Sequence, residues 1–244
     1  MTEPYPLSIR MKSYEFVETE DKFDGSLPLI CRVDGRSFSK FCKRFKKPYD
    51  ENISTLMKET AKYLLKETNA DLAYHQSDEI SLLFKPIDPP KQRMFDGSKI
   101  KLTSVISGMT SSFFMRSLIK LSQEQNIDMD NVIPHFDSRL FSVPNMIEAG
   151  NYFVWRQQDA KRNSISMMAQ SIFSHKSLQS KSGEEMLEMI KLSGNDYHSM
   201  PFNFKYGSFF KKQNTEKIIN GISCIRTEIL EEDIETITFK LMEE

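Results

Sequence analysis

The sequence predicts an α+β protein built around an antiparallel sheet that helices cover on one face. Short apolar runs typical of strands alternate along the chain with longer segments of helical periodicity. Their order is strand, helix, two strands, helix, strand, which is the order of a split βαβ, ferredoxin-like unit. A chain of 244 residues can form one large domain. We therefore expect a single domain over residues 1–244, with a C-terminal extension of about residues 145–244 that adds helices and strands.

Local patterns justify each element in turn. The sheet unit comprises a strand at 27–33, a helical segment at 38–45, a helix at 52–68, strands at 72–74 and 80–84, a helix at 100–121 and a strand at 136–143. The first strand is a short apolar run followed at once by Asp34 and Gly35, and the helix at 52–68 has Asn52 as its predicted N-cap. The extension comprises a helix at 152–173, a loop at 175–182, a helix that Ser182 and Glu185 cap, and strands near 208–211 and 222–227.

Composition and charge narrow the function classes. Hydrophobic residues make up 39% and charged residues 27%, as in ordinary folded proteins. The net charge of -1 hides a basic cluster suited to an anionic partner. The cluster comprises Arg32, Arg36, Lys40, Lys43, Arg44, Lys46 and Lys47, with Asp34 as its one acid. Three cysteines without a CxxC pair argue against a disulfide framework or a cysteine zinc site, and no signal peptide or membrane span is visible. We expect a cytoplasmic protein.

Two carboxylates are the main candidates for chemistry. Asp34 ends the first strand and Asp78 lies in the following hairpin, and these strands can be neighbours in a split βαβ sheet. Converging carboxylates suit Mg²⁺, and a pair of such ions can activate a nucleophile and stabilise a leaving pyrophosphate. Gly35 allows close backbone approach, so its carbonyl is a further candidate ligand. The alternative is an ordinary Asp-Gly turn and a solvated hairpin tip.

Several motifs occur together and in order over residues 28–165. They are R-V-D-G-R-S-F at 32–38, K-P-Y-D at 47–50, H-Q-S-D-E-I-S at 75–81, F-D-S-R at 136–139 and Y-F-V-W-R-Q-Q-D-A at 152–160. In these motifs the sequence resembles the tRNA-His guanylyltransferase-like family, whose members extend RNA in the 3′-to-5′ direction on a polymerase-like palm. The resemblance implies an enzyme, a tRNA 5′-end nucleotidyltransferase that uses ATP and GTP as substrates and two Mg²⁺ ions.

The resemblance also implies roles for individual residues. Asp34, Gly35 and Asp78 are the expected metal ligands, and Glu79 joins Asp34 and Asp78 as a catalytic residue. The expected nucleotide-binding residues are Asp34, Gly35, Arg36, Ser37, Phe38, Ser39, Lys47, Ser77, Asp78 and Lys101. The resemblance also implies an assembly of four chains that binds tRNA, so we expect a homotetramer.

One departure from the family pattern indicates a branch. Guanylyltransferases specific for tRNA-His carry D-C-H-x-N-N on the long helix, whereas this chain reads D-A-K-R-N-S at 159–164. Lys161 replaces the histidine, and in this respect the chain resembles the bacterial-type and other guanylyltransferase-like proteins. We therefore expect template-dependent repair of 5′-truncated tRNA, through 5′ adenylylation or a 5′ triphosphate. Lys161, Arg162 and Asn163 are candidate contacts for RNA or a second nucleotide.

Three other functions fit some of these features. A strict tRNA-His guanylyltransferase would use the same carboxylates, a palm-type nucleotide cyclase would act on a triphosphate without RNA, and an RNA-binding module would have no need for Asp34 and Asp78. Aromatic and methionine side chains, including Trp155, Met167 and Met168, are predicted to lie in the core.

Overall fold

The computed structural model describes residues 6–88, 91–125, 132–219 and 222–233. Its helices are α1 (Leu7–Thr19), α2 (Phe38–Phe41), α3 (Glu51–Glu67), α4 (Lys99–Gln125), α5 (Met146–Ile172), α6 (His175–Leu178), α7 (Gly183–Leu192) and α8 (Phe202–Tyr206). Its strands are β1 (Leu29–Gly35), β2 (Leu72–Gln76), β3 (Glu79–Phe84), β4 (Phe136–Ser142), β5 (Ser208–Ile219) and β6 (Ile222–Glu232).

The six strands form one sheet in the order β4-β1-β3-β2-β5-β6. Every neighbouring pair is antiparallel. Because α3 connects β1 to β2 across a gap that β3 fills, the first four strands have the split βαβ arrangement. The predicted α+β fold class and antiparallel sheet are confirmed.

The two faces of the sheet are covered by different helices. Alternation along β1 sends Leu29, Cys31 and Val33 into a core with α3 and α4, which is the predicted cover. Ile30, on the opposite face, packs in a second cluster with Phe153 of α5. The expectation of helices on one face was therefore incomplete, since strands buried on both faces need a second cover.

Helix boundaries differ from the predicted ones where a cap lies earlier in the chain. The N-cap of α3 is Asp50, whose side chain accepts hydrogen bonds from the backbone N–H groups of Asn52 (3.0 Å) and Ile53 (3.3 Å), so the predicted Asn52 cap was wrong. Asn145 caps α5, which begins six residues before the predicted start. The predicted capping box of Ser182 and Glu185 is confirmed at α7.

Several smaller predictions need correction. The loop predicted at 175–182 contains the short helix α6, and β5 and β6 are longer than predicted because they pair with each other beyond the sheet. Trp155 is 49% exposed and Met167 39%, whereas Met168 is buried as expected. In the part of the chain that the structure describes, no helix has the length and apolar character needed to cross a membrane.

Candidate active site

Asp34 is placed by the end of β1. In the registers of the sheet it lies opposite Glu79 of β3 and Asp137 of β4. Directly paired residues of neighbouring strands project to the same face, so three carboxylates stand side by side. This is the face that α5 covers, because Ile30 and Asp34 are separated by an even number of residues along β1.

Asp78 lies at the tip of the β2–β3 hairpin, between the paired residues Gln76 and Glu79. The turn places Ser77 in the left-handed region, with φ of 51°. Burial raises the pKa of Asp78 to about 6, and the negative charge of Asp34 adds to that effect. The two predicted metal carboxylates therefore lie near enough for their charges to oppose each other.

The segment after Asp34 folds tightly against the end of the strand. A side chain at Gly35 would place its Cβ only 2.6 Å from the ring of Phe38, so this approach requires glycine. The Arg36 backbone N–H donates to the His135 carbonyl oxygen at 2.8 Å, and Ser37 adopts φ of 54°. Phe38 is buried against the rings of neighbouring phenylalanines. The segment is thus held by the core beneath it while Arg36, Ser37 and Ser39 remain exposed.

Glu79 is held by an ion pair. Arg156 of α5 donates to both carboxylate oxygens, from Nε at 2.7 Å and from Nη2 at 2.7 Å. Both side chains are buried, at 8% and 7% exposure. Burial raises the pKa of Glu79, and the bonds from Arg156 oppose that rise. Arg156 also donates to Asp159 at 2.9 Å. Glu79 therefore ties β3 to α5 at the floor of the site.

Two adjacent cavities open beside these groups. We call the first the carboxylate cavity; it has a volume of about 370 Å³ and is lined by Asp34, Gln76, Ser77, Asp78, Glu79, Arg156, Asn163, Ser166, Met167 and Gln170. The second, which we call the lysine cavity, has a volume of about 250 Å³, and its lining includes Phe38, Ser39, Phe45, Lys46, Lys47, Pro48 and Asp50. Ser77 and Asn163 line both cavities. Together they form a bipartite site, with carboxylates in one part and lysines in the other.

Most of the predicted site residues come together here. Asp34, Ser77, Asp78 and Glu79 line the carboxylate cavity, whereas Phe38, Ser39 and Lys47 line the lysine cavity. Gly35, Arg36 and Ser37 lie on the segment that joins these residues. Asn163 lines both cavities.

Three predicted residues are placed elsewhere. Lys101 lies exposed in the first turn of α4 and lines neither cavity. The ammonium of Lys161 lies 5.8 Å from the centre of the Tyr206 ring. Arg162 pairs with Asp159 at 2.8 Å. Their predicted contacts with nucleotide or RNA remain predictions.

Asp137 and Arg139 of β4 lie on the same face of the sheet as Asp34, and neither of them was given a role from the sequence alone. Arg139 of β4 places Nη2 3.8 Å from a carboxylate oxygen of Asp34 and Nε 3.4 Å from one of Asp137. Its guanidinium thus offsets the repulsion between carboxylates that are directly opposite in the sheet. The F-D-S-R motif could have indicated this pair, because residues 137 and 139 of one strand project to the same face of the sheet.

The oxygen donors fit a hard divalent cation. Asp34 and Asp78 repel each other, and a bound cation would relieve that repulsion. Among the described residues, no group of three or more histidine, cysteine or acidic side chains is arranged to hold a metal ion. A cation here would complete its shell with backbone, water and substrate oxygens. Mg²⁺ binds in this way, since it keeps several waters and takes few carboxylates.

Comparisons with known proteins agree with this geometry. The family described as tRNAHis guanylyltransferase matches residues 8–144. The tRNA(His) guanylyltransferase of Saccharomyces cerevisiae is 29% identical over 223 residues, which cover 85% of this chain and 92% of the yeast protein. A solved bacterial tRNA(His) guanylyltransferase-like protein in complex with ATP is 31% identical, with a TM-score of 0.80 and coverage of 96% of this chain and 94% of that one. A structure of such a protein in complex with GTP gives 30% identity and a TM-score of 0.77. The chain belongs to the tRNAHis guanylyltransferase family of nucleotidyltransferases.

Proposed function

We propose that this enzyme adds nucleotides in the 3′-to-5′ direction to the 5′ end of tRNA and that its task is template-dependent repair of 5′-truncated tRNA. The observation that carries the proposal is the shared cavity of Asp34 and Asp78, which continues into a cavity lined by Lys46 and Lys47. Carboxylates that can hold cations beside lysines that can hold phosphates suit phosphoryl transfer. The repair branch is favoured by Lys161 at the position of the family histidine.

The reaction has two transfers. An oxygen of the RNA 5′ monophosphate attacks the α-phosphorus of ATP and releases pyrophosphate, which gives a 5′-adenylylated RNA. The 3′-hydroxyl of the incoming nucleotide then attacks the 5′ phosphorus of the RNA and releases AMP. An RNA that already has a 5′ triphosphate releases pyrophosphate in the second transfer and needs no adenylylation.

Residues of the site divide this work by chemistry. Asp34 and Asp78, with the Gly35 carbonyl, would hold two Mg²⁺ ions, and these ions would neutralise charge on the phosphate oxygens. Lys47 supplies a further positive charge at the rim of the lysine cavity. The apolar side chains of that cavity, Phe45 and Pro48 among them, suit the nucleoside part of ATP or GTP. The two bacterial structures are complexes with ATP and with GTP, which supports these substrates.

The assembly and its location complete the proposal. A chain with a net charge of -1 binds a polyanion more readily if basic surfaces of several copies combine, and we propose a homotetramer in the cytoplasm. Light scattering at the working concentration of the enzyme should give the mass of four chains. A mass of one chain would contradict the tetramer and leave the reaction untouched.

The central experiment measures 5′ extension. The protein is incubated with Mg²⁺, ATP, GTP and a 5′-monophosphorylated tRNA that lacks its first nucleotide. We expect one nucleotide to be added, complementary to the nucleotide opposite, and a change of that template nucleotide should change the one incorporated. Asp78→Asn should abolish extension because it removes a cation ligand, whereas Glu148→Gln on the exposed start of α5 should not affect it.

Other outcomes favour the other candidate functions. Addition of guanosine without regard to the template would indicate a strict guanylyltransferase. Cyclic nucleotide formed from a triphosphate without RNA would indicate a cyclase. Tight RNA binding that is unchanged by Asp78→Asn, without any extension, would indicate a binding module.

A further inference from the structure

Trp155 is a half-exposed aromatic residue beside Arg156, which lines the carboxylate cavity. Its indole lies against the guanidinium of Arg156, 4.5 Å from the ring centre, and 49% of the residue is exposed. Arg156 in turn binds Glu79, which lies opposite Asp34 in the sheet. A single side chain therefore separates the indole from the line of carboxylates.

The ring is fixed from its inner side. Tyr152, one turn earlier on α5, meets the indole edge to face at 5.9 Å. Its hydroxyl is hydrogen bonded to Ser81 of β3 at 2.8 Å. A ring already held in one orientation loses little conformational freedom when a ligand covers its outer face. The arrangement is thus suited to stacking.

Two exposed arginines lie on the elements around Trp155, each of them also paired with a carboxylate. Arg139 of β4 is 54% exposed, and Phe141, on the same face of that strand, packs its ring on Tyr152 at 5.6 Å. Arg162 lies two helical turns beyond Trp155 on α5 and is 61% exposed. An exposed aromatic ring in contact with a guanidinium group can stack on the exposed base at the end of a nucleic acid.

We propose that the outer face of Trp155 stacks on the base at the 5′ end of the RNA substrate. The inference rests on the proposed function, because an RNA whose 5′ phosphate lies at Asp34 and Asp78 brings its terminal base beside the same sheet face. Stacking accepts any of the four bases, since each has a π-face. It therefore suits repair of tRNAs that begin with different nucleotides.

The chain has one tryptophan, so its intrinsic fluorescence reports this contact directly. We would titrate the protein with the truncated tRNA in Mg²⁺ without triphosphates and repeat the titration with an RNA whose 5′ nucleotide is abasic. The first RNA should quench the emission, and the abasic RNA should quench it much less. The variants at this position contain no tryptophan, so the Kd values of all proteins are compared through the anisotropy of a labelled RNA. Trp155→Leu keeps an apolar side chain and removes the π-face; it should raise the Kd for intact RNA roughly 10-fold, within the range of base stacking, and leave the Kd for abasic RNA unchanged. Trp155→Phe keeps an aromatic ring and should bind intact RNA within about threefold of wild type.

Other results would overturn the inference. If the emission of Trp155 does not change although the enzyme extends the same RNA, the stacking contact is wrong and the proposed function still stands. Equal quenching by ATP or GTP alone would assign the face to a free nucleotide. A dependence of the emission on protein concentration without RNA would assign it to contacts between copies of the chain. Base-dependent quenching without any extension would support the stacking contact and count against the proposed reaction.

Discussion

At the residue scale, the pair of Glu79 and Arg156 shows how a motif residue can act by positioning. Both carboxylate oxygens of Glu79 accept hydrogen bonds from Arg156, and both side chains are buried. Removal of one partner leaves the other as an uncompensated charge in the interior. Arg156→Leu should therefore lower the free energy of unfolding by about 3–5 kcal/mol, measured by urea denaturation.

The matched control removes both charges together. Glu79→Gln with Arg156→Met keeps similar volume and leaves no buried charge, so most of the stability should return. The folded double variant then tests the predicted catalytic role of Glu79. Retained 5′ extension would assign Glu79 to positioning, whereas loss of extension would support direct participation. A change of less than about 1 kcal/mol in Arg156→Leu would contradict the buried pair.

His75 makes stability depend on pH. It is 2% exposed, and burial lowers its pKa from 6.5 to about 4. Lys58 adds to the lowering, whereas Glu231 and the Glu79 backbone oppose it. As the pH falls, His75 takes up a proton in the unfolded chain before it does so in the folded protein. The contribution of neutral His75 to the free energy of unfolding is therefore complete above about pH 6.5 and is lost as the pH falls towards 4.

The expected loss over that window is roughly 3 kcal/mol. The free energies of unfolding of wild type and His75→Met are measured at several pH values. Their difference at each pH gives the contribution of His75, because the titration of the carboxylates is common to both proteins and cancels. The wild type should lose more stability between pH 6.5 and 4 than the variant. Equal pH profiles would mean that the imidazole is not buried in its neutral form.

At the element scale, the start of α3 tests which residue caps it. Asp50 accepts hydrogen bonds from the backbone N–H groups of Asn52, Ile53 and Lys46, whereas the Asn52 side chain pairs with Gln125 at the surface. Asp50→Ala should lower the unfolding free energy by about 1–2 kcal/mol, and Asp50→Asn should retain most of it. Asn52→Ala should cost well under 1 kcal/mol, as an exposed polar pair usually does. If Asn52→Ala lowered the thermal unfolding midpoint more than Asp50→Ala does, Asn52 would be the N-cap of α3.

The order of the elements was predictable because their signals are local. The apolar run before Asp34 and the periodicity at 52–68 each specify one element without reference to the rest of the chain. The second buried face and the exposure of Trp155 were not predictable in this way, because both depend on where α5 packs. The meeting of Asp34 and Asp78 was predicted through strand order, whereas the bond between Glu79 and Arg156 joins residues 77 positions apart and has no local signal.

At the scale of the whole molecule, the sheet is continuous from the site to the C-terminal hairpin. β5 pairs with β2 only over residues 208–211, but pairs with β6 over residues 209–219. Beyond residue 211 the two strands form a ribbon outside the main sheet. This continuity supports a single domain, which stays a prediction; residues 220–221 and 234–244 of the predicted extension lie outside the described residues.

The ribbon should contribute little to global stability. Ile225 is 74% exposed, whereas Phe210, in the part of β5 that pairs with β2, is fully buried. Asn214 and Thr227 are directly paired, so an Asn-Gly turn can replace residues 215–226 without a change of register. The shortened protein should unfold within about 3 °C of the full chain, because the described residues of the removed segment form strand pairs only with each other and Ile225 is largely exposed. The contrasting variant, Phe210→Ala, should cost about 3–5 kcal/mol. A shortened protein that fails to fold would show that the ribbon and the sheet form one cooperative unit.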